Sequence, residues 1–440
     1  MNTPPASDQS QFDVAIVGGG IVGICTALSL QSAGLRVAII ERGDPGQSTS
    51  YGNAGVISPW SNVPQSVPGL WKKIPAWLLR ADGPVSVKPA YAPQFLPWAL
   101  RFLKRGNEAC VSQASKTMEY LNRHNIDLYR QHLAGTGCEN LIRDSYYVHA
   151  FRDAASANVT DRAYQLRAGA GAPIQKISAA DLRDLEPALS HEYNAAILIK
   201  GQGRATSPGR IGQVLCDKFS ANGGTVLQRS VTALKRSVSA LQRANEASAA
   251  DNDNSAGSTR WVIETDAEAV TASRVVVAAG AWSARLLAPL GISVPLEAER
   301  GYHVEFSEPG VSLTHSVMDM DFMFVASSMD NGLRVAGTAE FAGLDAPMNR
   351  ARVDSLLANA RRMFPDLQSD THASWMGIRP SLPDSVPALG EFENHKGLYA
   401  AFGHCHYGLM MAPRTGQVIT SMITGEAINE DLSGVSPDRF

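Results

Sequence analysis

The most regular pattern in the chain lies near its start. Val14, Ala15, Ile16 and Val17 are consecutive apolar residues, which predicts a strand buried on both faces. Gly18-x-Gly20-x-x-Gly23 follows, residues 24–33 read as a helix, and 37–40 form a second buried strand ending at Glu41. This is a complete dinucleotide-binding unit. Gly18 permits the tight turn, Gly20 admits a pyrophosphate close to the backbone, and Gly23 lets helix and strand pack. The helix start offers free N–H groups and partial positive charge to phosphates, and Glu41 can accept from a ribose hydroxyl.

After Glu41 the alternation stops. Residues 48–55, STSYGNAG, form a polar loop able to bring N–H groups and hydroxyls to a ligand. Residues 59–105 differ in character: four of the seven tryptophans (Trp60, Trp71, Trp77, Trp98), repeated prolines, seven basic residues and one acid, Asp82. Within them 95–104 predicts a short amphipathic helix. Such a segment suits a cap with packed tryptophans over a substrate site, contact with an anionic membrane surface, or both.

Further on, 112–135 reads as helix, 145–152 as strand, 181–185 as a short helix and 195–200 as strand. A helix over 210–220 has Ser207 as its N-cap and Pro208 in its first turn. The β-like stretches 225–235 and 260–265 flank 238–259, rich in Ala, Ser, Asn and Asp, which reads as a flexible, solvated hairpin loop. Residues 274–279 are a second apolar run ending in small residues, as expected of a central parallel strand whose end approaches the cofactor. Alternation returns over 295–306 and 318–337, and 375–384 reads as a proline-stiffened turn. Strand 398–402 and the turn from Gly403 to Leu409 open a helix from about 412 to 423, a second junction that aims N–H dipoles at a ligand.

The expected architecture is α/β. A discontinuous Rossmann-like domain takes 12–60, 203–290 and 377–430; an α+β substrate domain with a mainly antiparallel sheet takes 61–202 and 291–376. The net charge of −3 gives no reason to expect a nucleic-acid partner. Five scattered cysteines without CxxC spacing fit free thiols in a reducing compartment. The leader MNTPPASDQSQ has neither a basic nor an apolar region of a secretion signal, and no apolar run is long enough to span a bilayer.

The segments VAIVGGGIVG…VAIIER, STSYGNAG, RVVVAAGAWSARL, GIRPSLPDSVPALG and FGHCHYGLMMAPRTGQVITSMI, in that order, resemble the flavin-dependent D-amino-acid oxidase/glycine oxidase superfamily. Within it they are most similar to the bacterial D-amino-acid dehydrogenases. The resemblance covers essentially the whole chain; it is specific for the superfamily and says less about substrate. It implies non-covalently bound FAD, with Gly18, Gly20, Ile21, Val22, Gly23 and Glu41 at the ADP half. Arg42, Ser48, Asn53, Ala54, Gly55 and Ile57 match the loop along pyrophosphate and flavin, and Val231 the backbone contact to adenine. Ala279, Gly280 and Trp282 match the strand end near the ribityl chain; Gly403, His404, Tyr407, Gly408 and Leu409 match the turn beneath the isoalloxazine. One departure is Cys405, where the family commonly has glycine; if φ is positive there, cysteine is strained by roughly 1 kcal/mol or more.

By the same resemblance, the reaction is hydride transfer from Cα of a D-amino or D-proline-like imino acid to flavin N5. The imine then hydrolyses to a 2-oxo acid and ammonia, and electrons pass to a quinone or respiratory carrier. The protein's tasks are orientation and desolvation. Arg379, in GIRP, matches the carboxylate-binding arginine, a bidentate partner beside the flavin. Tyr302 and His303 sit on a strand whose alternation turns only one of them to the site, and His406 can reach the pocket. No metal is expected, since His404 and His406 have no third ligand nearby. The implied location is the bacterial cytoplasm, with peripheral contact to the inner membrane through 59–105. Two alternatives accompany this reading: an oxygen-using amine oxidase of glycine or sarcosine type, for which Cys405 raises the question of a covalent flavin link, and a flavin subunit inactive without a partner.

Overall fold

The computed structural model describes residues 11–80, 82–237 and 260–440. The first strand, Gln11–Val17, lies in the middle of a sheet because both its faces are apolar. It pairs in parallel with Val37–Glu41 on one side and Val270–Val277 on the other. Leu398–Phe402 and Thr225–Gln228 extend the parallel set outwards, and Ala388–Glu391 closes one edge antiparallel. Two helices, Ile21–Ser32 and Gly408–Thr424, pack together on this sheet. They meet at Gly416, where a Cβ would come within 2.6 Å of the Cys25 carbonyl oxygen.

The second sheet is mainly antiparallel and has ten strands among the described residues. Its order is His372–Ser381, Glu297–Phe306, Gly332–Phe341, Phe324–Met329, Ser316–Asp319, Ile142–Phe151, Ala195–Ala205 and Val56–Ile57, with Val85–Val87 and Ile174–Ser178 attached at the side. Val56–Ile57 and His372–Ser381 each pair within this second sheet, whereas the bounds 12–60 and 377–430 expected from the sequence place residues 56–57 and 377–381 with the cofactor domain.

Three expectations need correction. Residues 375–384 are largely strand rather than turn, since His372–Ser381 runs along the full length of Glu297–Phe306. Pro380 is tolerated because that strand is at the sheet edge, where a missing N–H breaks no central ladder. The helix over 112–135 is two, Glu108–Asn122 and Asn125–Leu133, broken where His124 takes φ 61°. The C-terminal helix begins at Gly408, before Pro413. Proline leaves the Leu409 carbonyl without its helical N–H partner, and the buried Tyr129 hydroxyl donates to it at 2.6 Å. Ser207 does precede Pro208 at its helix start, but its side chain makes no capping bond. The loop 238–259 lies outside the described residues; the strands flanking it, Val231–Arg236 and Trp261–Thr265, pair antiparallel.

Residues 70–105 form a cap built from helices Ile74–Leu79 and Ala92–Arg105 and the strand Val85–Val87. Trp98 anchors it: buried, stacked against Phe95 and Phe102, leaning on Phe341, its indole N–H donating to the Ser381 carbonyl at 3.1 Å.

Candidate active site

A cavity of about 1530 Å³ runs from the glycine turn, along the ends of the parallel strands, to the second sheet and the cap. At its first end Gly18 has φ 113°, and a Cβ there would meet the Ala278 carbonyl oxygen at 2.4 Å. A Cβ at Gly23 would meet the Gly18 oxygen at 2.0 Å, so this residue serves the packing of helix on turn. At Gly20 the nearest atom is Ser50 Oγ, 3.6 Å away, which leaves the cavity side open for a phosphate. Ser50 Oγ accepts from the Ile21 N–H, and Ile21 and Val22 line the cavity at the helix start. The Glu41 carboxylate accepts from the N–H groups of Gly19 (2.6 Å) and Gly43 (3.1 Å), so it shapes the turn while keeping lone pairs for a ribose. Arg42 lies 4.2 Å over the Trp282 ring, joining the first strand pair to the central strand end.

At the other end, strands Glu297–Phe306 and His372–Ser381 place Arg379 beside Glu299. Arg379 Nη1 donates to Glu299 Oε1 and to the Thr338 carbonyl, both at 2.9 Å. Thr338 offers that carbonyl because the ladder slips there and its φ is 60°. Ser381 donates to the other Glu299 oxygen at 2.7 Å, and His406 Nε2 makes a close contact with Glu299 Oε1. Burial alone would raise the Glu299 pKa; His406, Arg379 and Ser381 outweigh it and hold the carboxyl down at about 2. Gly301 makes the arrangement possible, since a Cβ there would come within 2.3 Å of the Arg379 guanidinium carbon.

The model of the family described as FAD dependent oxidoreductase matches residues 13–422. The chain belongs to this family. A D-amino-acid oxidase from Bradyrhizobium diazoefficiens is 34% identical over 434 residues, covering 97% of this chain and 98% of that protein. A D-amino acid dehydrogenase from Vibrio vulnificus is 28% identical over 432 residues, covering 97% and 99%. Among solved structures, glycine oxidase from Geobacillus kaustophilus superposes with a TM-score of 0.72 at 23% identity, covering 98% of this chain and all of that one.

As a member of the FAD-dependent oxidoreductase family the protein uses FAD, and the residues at the first end fit it: a cradle closed to side chains at Gly18 and open at Gly20. Ser48, Asn53, Ala54, Val231, Ala279, Gly280, Trp282, His404, Tyr407, Gly408 and Leu409 line the cavity, as do Arg379, Tyr302 and His406. Gly55, Ile57 and Gly403 do not: Gly55 (φ 81°) and Gly403 (φ 85°) back onto Ala205 and Leu382, and Ile57 is in the core. His303 also turns away. It is buried, stacked on Trp375 and bonded to the Gly52 carbonyl, and burial next to Arg334 pushes its pKa down to about 3. Tyr302 is among the cavity-lining residues, but its side chain packs in the core, with its hydroxyl bonded to Glu340 and accepting from the Asn349 N–H. Arg300 pairs with Glu340 at 3.1 Å and is not among the cavity-lining residues. His404 bonds Thr415, and burial pushes its pKa down to about 3. Among the described residues no group of three or more His, Cys, Asp or Glu is placed to hold a metal. Sequence reasoning missed Ser50, Glu299, Gly301 and Thr338. The acid two residues before Gly301 in EAERGYHVEF was visible, but only the sheet register joins it to Arg379.

Proposed function

We propose that this FAD-dependent oxidoreductase oxidises a D-amino acid, or a D-proline-like imino acid, at its Cα–N bond, with water converting the imine to a 2-oxo acid and, from a primary amine, ammonia. The relatives named D-amino-acid oxidase and D-amino acid dehydrogenase, matched end to end, support the substrate class. The observation that carries the reading is Arg379, half-buried at the cavity wall with Nη1 taken by Glu299 and Thr338 and its other two nitrogens left for a planar carboxylate. Glu299 and Thr338 orient the guanidinium, and His406 and Ser381 keep Glu299 charged in its buried place. Trp98, Phe341 and Met318 exclude water from the substrate. FAD, when bound, would supply the hydride acceptor for oxidation of the Cα–N bond. Binding is read as non-covalent: burial pushes the Cys405 thiol up to about 12, which removes the thiolate a link would need.

The acceptor is read as a quinone or respiratory carrier, reached by peripheral contact of the cap with the inner membrane on the cytoplasmic side. Exposed Trp71, Leu78, Leu79, Leu96 and Leu100 interleaved with Lys72, Lys73, Arg101 and Lys104 support this. A second reading, oxidation by dioxygen, is favoured by the name of the 34% identical relative. A panel of D-amino acids given anaerobically to the purified protein, then turnover with a dye and with air, decides between them. Flavin bleaching with dye turnover and little peroxide is expected. Rapid peroxide formation selects the oxidase, and no bleaching by any amino or imino acid overturns the deamination reading.

A further inference from the structure

A second guanidinium lines the same cavity. Arg167, on the helix Arg162–Gly169, is half-buried among Tyr147, His149, Tyr164 and Tyr407. Its Nη1 donates back to the Ala163 carbonyl at 3.0 Å, and among the described residues it makes no ion pair with a carboxylate. The neighbouring polar groups are spent elsewhere. Tyr147 bonds Met318 Sδ at 3.2 Å, Tyr164 bonds His149 Nδ1 at 2.8 Å, and Tyr407 donates to the Val63 carbonyl at 2.9 Å. Burial opposes the charge, lowering the Arg167 pKa.

Arg379 stands in contrast, because Glu299 already answers its charge. Arg167, Tyr407, Glu299 and Arg379 all line the one cavity, so both guanidinium groups are available to a ligand bound in it. A partly desolvated cation without a counter-ion is costly, and one retained on a ligand cavity calls for an anion brought by the ligand.

We propose that Arg167 receives a second acidic group of the substrate, so that the preferred amino acids carry an acidic side chain. This rests on the deamination reading for the reaction, but the binding claim can be tested apart from it. Oxidised holoenzyme is titrated with glutarate and with butyrate, following the flavin's visible spectrum. The wild type should bind glutarate about tenfold or more tightly than butyrate. In Arg167→Met that advantage should fall below about twofold, and Arg167→Lys should restore part of it. Equal affinities in the wild type overturn the proposal without recourse to any variant. So does an advantage that survives in Arg167→Met, an equal loss for both acids (Arg167 would then hold the carboxylate common to them), or loss of FAD from a folded Arg167→Met (it would then serve the cofactor). In turnover, kcat/KM for D-glutamate relative to D-norvaline should drop about tenfold in Arg167→Met. If no amino acid bleaches the flavin while the glutarate advantage holds and depends on Arg167, the acid site stands and the deamination reading falls.

Discussion

At the scale of single residues, Gly301 decides where Arg379 can lie. Any side chain at 301 would push the guanidinium from its place beside Glu299. Arg379→Met leaves a desolvated substrate carboxylate unpaired, at a cost of about 3–5 kcal/mol. We expect kcat/KM on amino acids to fall at least about a hundredfold, Arg379→Lys to recover part of it, and FAD content to stay normal in both. Near-normal turnover by Arg379→Met would refute the carboxylate assignment. Glu299 adds a pH dependence. Burial raises its pKa, but His406 and Arg379 together depress it from 4.5 to about 2 in the fold. A depressed carboxyl contributes stability that is present above its unfolded value and lost as pH falls from about 4.5 towards about 2. Melting temperatures at about pH 6 and about pH 3 should therefore differ less in Glu299→Gln than in wild type; equal differences would show that the carboxyl is not held down. Cys405 has φ 49° and is buried, so the strain anticipated at that turn is present. Cys405→Gly should melt later than Cys405→Ala, by about 1 kcal/mol of stability, because only glycine escapes the left-handed penalty.

Elements here are placed by what their neighbours supply. The C-terminal helix accommodates Pro413 because Tyr129, 280 residues before Leu409 in the chain, replaces the missing donor at that residue's carbonyl. Leu409 also lines the cavity, so the bond ties the start of that helix to its wall. Tyr129→Phe leaves a buried carbonyl unsatisfied and should cost about 1–3 kcal/mol in denaturant unfolding, with weaker FAD retention. An unchanged unfolding midpoint would mean that the carbonyl finds another donor. The edge position of His372–Ser381 works similarly: it admits Pro380 and still registers Arg379 against Glu299.

For the whole molecule, the cap has two faces with different partners. Phe95 and Trp98 face inwards on Phe341, with Phe102 stacked on Trp98, while Leu79 (87% exposed), Trp71 and Leu100 face out beside four basic side chains. No helix among the described residues is long and apolar enough to cross a membrane. If the outer face meets an anionic surface, replacing Lys72, Lys73, Arg101 and Lys104 by glutamine should release the protein from anionic vesicles in sedimentation. Wild-type binding itself should weaken as salt is raised. Absence of wild-type binding would leave the cap as a cover alone.

The sequence by itself determined the parallel sheet and its glycine turn, and most of the residues it suggested for the cofactor line the cavity. That signal is local: a buried strand, glycines without room for a Cβ and a helix start follow one another within about thirty residues. The substrate end was decided only by tertiary structure. Arg379, Glu299, Thr338 and His406 come from four separated segments, and sheet register and a ladder slip bring them together. Alternation could say that Tyr302 and His303 point opposite ways. It could not say that His303 stacks on Trp375, nor that the Tyr302 hydroxyl ends on Glu340. Arg167 gave no local sign at all, because its lack of a counter-charge is a property of everything packed around it.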